Sequence, residues 1–272
     1  MNDDLATAPR IGHALVTGAS SGIGAAIARD YARRGKPLIL TARREDRLLA
    51  LADELGAKVP CTVIVADLAD PAAPAALFNQ IQSLGLFVDT LVNNAGYGVT
   101  GHYLAKPWST HADFLQVLVT APCELVHLFL PAMQEHRQGR IINVASLAGL
   151  VPGSAGHTLY GAAKTFLIRF SQSLAMENVG NNVHVCALCP GFTYSEFHDI
   201  TGTRGIVAKM PLRMWMHSDD VARIGINAVE RGEIVCITGR INRTIKTLFK
   251  LLPDRFALRA MQKRSKDFRS RE

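Results

Sequence analysis

Short runs of consecutive apolar residues alternate along this chain with longer stretches in which apolar positions recur every three or four residues. The short runs fall at 13–17, 38–41, 61–66, 90–93, 140–144, 183–188 and 234–237. They are mostly Val, Ile, Leu and Ala with little polar alternation, which predicts strands covered on both faces. Helical spacing runs through Ile23, Ala26, Ile27 and Tyr31, then over 44–55, 71–84, 111–130, 157–177 and 218–231. Strand and helix in alternation predict an α/β fold, a doubly wound parallel sheet of about seven strands with helices on both faces. Such sheets bind ligands beyond the carboxyl ends of their strands. The residues with chemical capacity in this chain cluster just after the predicted strands.

The first strand runs into Gly18-Ala19-Ser20-Ser21-Gly22-Ile23-Gly24, and a helix follows. Glycines let a backbone pass close to a bulky anion, and a helix start offers free N–H groups and a positive dipole end. The spacing is G-x-x-x-G-x-G, not the commoner G-x-G-x-x-G, and a plain tight turn is the other reading. Many dinucleotide-binding units carry an acid after the second strand, where it holds the adenosine ribose. Here Ala42 stands in that place, followed by Arg43 and Arg44. A carboxylate repels a ribose 2′-phosphate, whereas a guanidinium holds it through paired, charge-assisted hydrogen bonds. NADP(H) is therefore expected over NAD(H), with Arg43 as the contact. Two solvated arginines at a helix start are the alternative.

Tyr160 and Lys164 stand four apart in a helical pattern whose apolar stripe is Leu159, Ala163, Phe166, Leu167, Phe170 and Leu174. Positions four apart share a helix face. An ammonium near a phenol favours phenolate and lowers its pKa from the usual value of about 10. A tyrosine tuned in this way exchanges a proton near neutral pH. Alone, the spacing fits a half-buried tyrosine beside a surface lysine equally well.

Taken together, these residues resemble the short-chain dehydrogenase/reductase family over about residues 10–240. The matching pieces are Thr17 through Gly24, Asp67 after the third strand, Asn93-Asn94-Ala95-Gly96, Ser146, Tyr160-x-x-x-Lys164 and Pro190-Gly191, in the family's order and spacing. The resemblance implies a Rossmann-like domain over 1–239. It implies that Tyr160 gives or takes the substrate proton, that Ser146 donates to the substrate oxygen, and that Lys164 lowers the tyrosine pKa and holds the nicotinamide ribose. The implied cofactor contacts are Gly18, Ser20, Ser21, Gly22, Ile23, Gly24, Arg43, Asp67, Leu68, Asn94, Ala95, Gly96, Tyr160, Lys164, Pro190, Gly191 and Thr193. No metal is implied. A dimer or tetramer packed through the helices at 111–130 and 157–177 is also implied, although those apolar faces could equally meet the sheet.

One position departs from the family pattern. The helix after Asn-Asn-Ala-Gly usually carries an asparagine, and counting back from Pro131 places Leu118 there. The family implies that this residue's carbonyl holds a proton-relay water and that its side chain supports a local helix distortion. A leucine keeps the carbonyl and loses the side chain, which puts the relay in question.

Composition narrows the remaining possibilities. The 272 residues are 48% hydrophobic and 19% charged, enough apolar material for a sizeable core. The net charge of +7 is uneven: residues 240–272 carry eleven Lys or Arg against three acids, so the rest is close to neutral. In that tail Ile245, Leu248, Phe249 and Leu252 fall on one helical face, Lys246 and Lys250 on another, and Pro253 ends the pattern. A basic amphipathic helix either lies on an anionic membrane or docks on the domain or a partner subunit, and docking is the favoured reading. Nucleic-acid binding lacks aromatic platforms. Five free cysteines, no secretory pattern at the N-terminus and no long apolar run suggest a cytoplasmic protein, and Cys186-x-x-Cys189 falls in an apolar strand with no second ligand pair. Residues 192–217 lack a periodic pattern and are expected to cover the site. Met210, Leu212, Met214, Trp215 and Met216 suggest a hydrophobic ketone or secondary alcohol as substrate. The expected function is hydride transfer between NADP(H) and that substrate, with reduction the favoured direction. A cofactor-binding scaffold or sensor with little turnover is the second reading, motivated by Leu118 and the tail.

Overall fold

The structure, a computed structural model, describes residues 11–196 and 210–264. The first ten residues, 197–209 of the expected covering segment, and the tail from 265, including Phe268 and Arg271, lie outside the described residues. Nine strands form among the described residues: β1 (Gly12–Thr17), β2 (Leu38–Ala42), β3 (Cys61–Val65), β4 (Phe87–Asn93), β5 (Gly139–Val144), β6 (Val183–Cys189), β7 (Phe192–Tyr194), β8 (Trp215–His217) and β9 (Val235–Ile237). Seven make one sheet in the order β3-β2-β1-β4-β5-β6-β9. Every pairing in it is parallel. The sequence of strands reverses direction between β1 and β4, which opens a crevice at their carboxyl ends.

Because side chains alternate along a strand, each strand feeds two separate cores. Val16, Leu40, Ile142 and Leu188 pack under α1 (Gly22–Arg33), α2 (Glu45–Gly56) and α7 (Ser218–Glu230). Leu15, Ile39, Leu91 and Ile141 pack under α3 (Ala73–Ser83), α4 (Trp108–Leu115), α5 (Ala121–Glu135) and α6 (Thr158–Glu177). The expected doubly wound parallel sheet is therefore observed. Cys186 and Cys189 are buried in β6 with free thiols.

The expected helix at 111–130 is longer and interrupted. Trp108–Glu135 is one continuous helical stretch of 28 residues, apolar and long enough to cross a membrane by length and composition. Its inward face is committed to the second core through Phe114, Leu118, Leu125 and Phe129. Between α4 and α5 it widens into a π turn over Gln116–Thr120, with Leu118 at the centre. Such turns mark functional sites. The helix thus keeps its distortion without the asparagine side chain.

The segment 192–217 is more ordered at its ends than its sequence suggests. β7 and β8 pair in parallel, Phe192 opposite Trp215 and Tyr194 opposite His217. Three-residue strands are too short to show a period. The tail helix α8 (Arg240–Leu251) starts five residues earlier than the apolar stripe at 245 indicates and stops before Pro253, and α9 (Asp254–Arg264) follows. The first turn of α8 packs on the sheet edge: a Cβ on Gly191 would lie 2.3 Å from Nδ2 of the buried Asn242.

Candidate active site

The glycine turn and the β4 loop close on each other at the crevice. Thr17 Oγ1 donates to the Val92 carbonyl and accepts from the Asn94 and Ala95 N–H groups at 2.9 and 3.0 Å. Asn94 Nδ2 donates to the Thr17 and Gly18 carbonyls. Gly18 has φ +64°, and a Cβ there would come 2.8 Å from Ala95 Cα, so only glycine fits. Ser21 caps α1 without a side-chain hydrogen bond, which leaves the first N–H groups of a twelve-residue helix to a ligand. This cradle fits the pyrophosphate of a dinucleotide.

Ser146, Tyr160 and Lys164 come together at the carboxyl end of β5. Ser146 Oγ accepts from Ala148 N at 3.1 Å, which starts a short 3₁₀ turn and fixes the serine. Ser146 is also a hydrogen-bond partner of the Tyr160 hydroxyl. Lys164 is buried, 6% exposed, and its Nζ donates to the Val144 carbonyl at 2.7 Å. It lies 5.7 Å from the Tyr160 ring centroid.

The electrostatics differ from expectation. Burial pushes the Tyr160 phenol up to about 12, against the downward pull of the Ser146 hydrogen bond. Burial pushes Lys164 down to about 8, with Cys189 opposing. The Lys164 ammonium is engaged by a β5 carbonyl, and burial dominates at the phenol. In this arrangement Tyr160 is a protonated donor at neutral pH, suited to giving a proton to a developing oxyanion.

The arginines after β2 lie otherwise than expected. Arg43, the expected 2′-phosphate contact, has a side chain 67% exposed and lies 3.8 Å from Asp67 Oδ2. Arg44 instead reaches over the glycine turn, donating to Ser20 Oγ at 3.0 Å and Ser21 Oγ at 2.9 Å. Its Nη1 also donates to Glu196 Oε2 at 3.0 Å, and Arg47 donates to Oε1 of the same carboxylate. These two arginines hold Glu196 below the usual carboxylate range. Arg44, Arg47 and Glu196 were not among the expected contacts. Arg44 and Arg47 at i, i+3 on one helix start were readable as a pair; Glu196, about 150 residues away, left no local signal.

The remaining expected contacts line the same edge. Asp67 caps the turn at Ala69 N, 3.0 Å away, and Leu68 is buried beside it. Ile23 and Ala95 face the two cores. Pro190 and Thr193 are buried on either side of Gly191, and Thr193 Oγ1 donates to the Gly191 carbonyl at 3.2 Å. Leu118 packs beneath Gly96, its Cγ 3.6 Å from where a Cβ would stand.

A cavity opens beside Tyr160, lined by Val99, His102, Tyr103, His111, Phe114 and Leu159 among others. His111 is buried, stacked on Tyr103, with Nε2 2.8 Å from the Tyr103 carbonyl. Met214 and Met216 line a separate cleft against Gly239–Asn242. The described methionines of the covering segment therefore do not line the cavity at Tyr160, whose walls come from residues 99–103, α4 and the start of α6.

A model of the short chain dehydrogenase family matches residues 12–203. An uncharacterized oxidoreductase of Myxococcus xanthus is 34% identical over 221 residues, covering 81% of this chain and 84% of that protein. A short-chain dehydrogenase from Sphingobium yanoikuyae, solved in complex with NADPH, superposes with a TM-score of 0.77 at 29% identity, over 89% of this chain and 96% of that one. The bulky-bulky ketone specific alcohol dehydrogenase from Comamonas testosteroni gives 0.75 at 28% identity, over 93% and 95%.

Proposed function

The chain belongs to the short chain dehydrogenase family, and from that premise we propose that it is an NADP(H)-dependent reductase of hydrophobic ketones. The coarser statement, an oxidoreductase of CH–OH and C=O groups that uses a nicotinamide cofactor, follows from the family itself. The observation that carries the finer reading is the ribose end. Ala42 stands in place of the acid, the Arg44 guanidinium lies against the Ser20 and Ser21 hydroxyls, and Arg43 stands next to it at the exposed rim. A 2′-phosphate finds charge-assisted donors there and no fixed carboxylate from β2.

When bound, the cofactor supplies a hydride to the carbonyl carbon. The chain's own residues do the rest. Ser146 and Tyr160 present two hydroxyl groups to the substrate oxygen, Tyr160 delivers the proton, and buried Lys164 adds positive charge close to the developing oxyanion. Val99, Phe114 and Leu159 set apolar side chains beside Tyr160, which favours an apolar substituent next to the reacting carbonyl. The outer faces of α4 and α6 expose Trp108 and Phe166, and we assign these helices to a homo-oligomer interface. The test is NADPH and NADH consumption at 340 nm with a panel of aliphatic, aromatic and polycyclic ketones. Turnover with NADPH well above NADH supports the reading. Equal use of both cofactors would remove the 2′-phosphate assignment, and NADPH binding without any turnover would leave a cofactor-binding scaffold.

A further inference from the structure

The two C-terminal helices carry exposed apolar side chains that the domain leaves uncovered. Leu248, Leu251, Leu252, Phe256 and Leu258 are 56%, 76%, 41%, 44% and 56% exposed within eleven consecutive positions. On α8, Leu248 and Leu251 stand at i and i+3 and share a face, and Leu252 follows as the extended residue that ends the helix. Arg243, Lys246 and Lys250 stand at i, i+3 and i+7 and share another. α8 buries only Asn242, and Ala257 is the buried residue of α9. Docking on the domain buries Asn242 and Ala257 and partly covers Ile241, Ile245, Lys246 and Phe249, while Leu248, Leu251 and Leu252 stay exposed. Charge follows the same stretch: residues 240–264 carry eight Lys or Arg and one acid, Asp254. Arg255 lies over the Phe256 ring at 4.6 Å, pairing cation and apolar surface in one side-chain unit.

We propose that α8 and α9 form a docking face for the surface of an anionic lipid bilayer. Exposed leucines enter the boundary between headgroups and acyl chains, and the long lysine and arginine side chains of the other face reach the lipid phosphates. A second copy of this chain is the poorer occupant. A two-fold pair lays the same patch on itself, which would bring two strongly net-positive segments together, and like charge disfavours association. An acidic protein answers the charge but must also offer an apolar groove matched to five particular side chains. An acyl layer receives them in any arrangement.

The test uses the full chain in flotation gradients with two kinds of vesicle, pure phosphatidylcholine and an equal mixture of phosphatidylcholine and phosphatidylglycerol. The expected result is flotation with the anionic vesicles alone, weakened as salt rises to about 0.5 M. Leu248→Ser with Leu251→Ser, and separately Lys246→Gln with Lys250→Gln, each lower vesicle affinity by about tenfold or more. Both variants keep the parent's melting temperature and circular dichroism, which separates lost docking from lost folding. The proposal is overturned if the parent stays at the bottom with anionic vesicles, or if the leucine variant floats as well as the parent. It is also overturned if the parent ignores vesicles and sediments as an oligomer that the leucine variant dissociates, since a second copy would then cover the face.

Discussion

The Tyr160 end and the Arg44 end of the crevice are built on opposite terms. At the first, Lys164 is 6% exposed and bonded to a strand carbonyl, and Ser146 is fixed by its own turn. Few other rotamers are open to either. At the second, Arg43 is 67% exposed, and Arg44 and Arg47 share a carboxylate from β7's far side, all on long side chains at the rim. Exposed ion pairs contribute little and exchange readily. A buried site has one answer, whereas a rim of long charged side chains has several. Substitutions at the two ends should therefore separate cleanly: chemistry without affinity at one, affinity without chemistry at the other.

The sharpest break is Tyr160→Phe. It removes the proton donor and leaves the ring's packing, so turnover should fall by about 10³-fold while NADPH affinity, followed by fluorescence titration, stays within about threefold. Loss of affinity in step with turnover would mean that the two ends are not independent. Lys164→Met follows, with an expected loss in turnover of about 10²-fold. It carries a second readout. The folded pKa of Lys164, about 8, lies below its ordinary 10.5, so the unfolded chain binds more protons between those values and stability should rise with pH across that window. The methionine variant should lose this rise and be more stable at pH 7 by about 1–3 kcal/mol, read in urea melts. A variant that is less stable at pH 7 would show that the Val144 hydrogen bond outweighs the desolvation of the charge. In the parent enzyme, reductive kcat/KM should decline above about pH 8 as Lys164 loses its proton; a profile flat to pH 10 would show that the ammonium persists.

Arg44→Ala tests the other end. Losing a charge-assisted contact to a phosphate costs about 1.5–3 kcal/mol, so the Kd for NADPH should rise about 10- to 100-fold and that for NADH little. Arg43→Ala should do less if the observed geometry persists with cofactor, and more if Arg43 swings inward. Glu196→Gln removes the internal anion between Arg44 and Arg47, and NADPH should then bind about threefold or more tightly. Unchanged affinity would mean that the carboxylate moves aside freely.

Legibility in the sequence divides along the same line. The strands, the glycine turn and the grouping of Ser146, Tyr160 and Lys164 depend on apolar runs and fixed backbone offsets, and one chain displays both. Gly18 marks a positive φ and a close approach that no other residue fits. Arg44 over Arg43, and Glu196 opposite Arg44 and Arg47, depend on which way flexible side chains lean across about 150 residues of separation, and nothing local encodes that. The cavity walls at 99–103 come from an irregular stretch without a period. The direction of the Tyr160 pKa is hidden for a related reason: spacing reports that a lysine is near, but not how deeply the phenol is buried.

Leu118→Asn carries the smallest expected effect and decides how much of the catalytic end rests on backbone alone. If a side chain were needed to hold the helix distortion, leucine should have restored regular α-helix; the π turn over Gln116–Thr120 is present with Leu118 buried at its centre. The widened turn is therefore sustained by packing, with Leu118 wedged under Gly96. An asparagine would keep the same carbonyl in the same turn, so turnover should change by less than about threefold. It would also bury an amide among apolar neighbours, at a cost of about 1–3 kcal/mol if the amide finds no partner. Stopped-flow reduction rates and urea melts on the same variant read the two quantities separately. A tenfold gain in rate would make the missing side chain, not the backbone, the limiting part of the proton path.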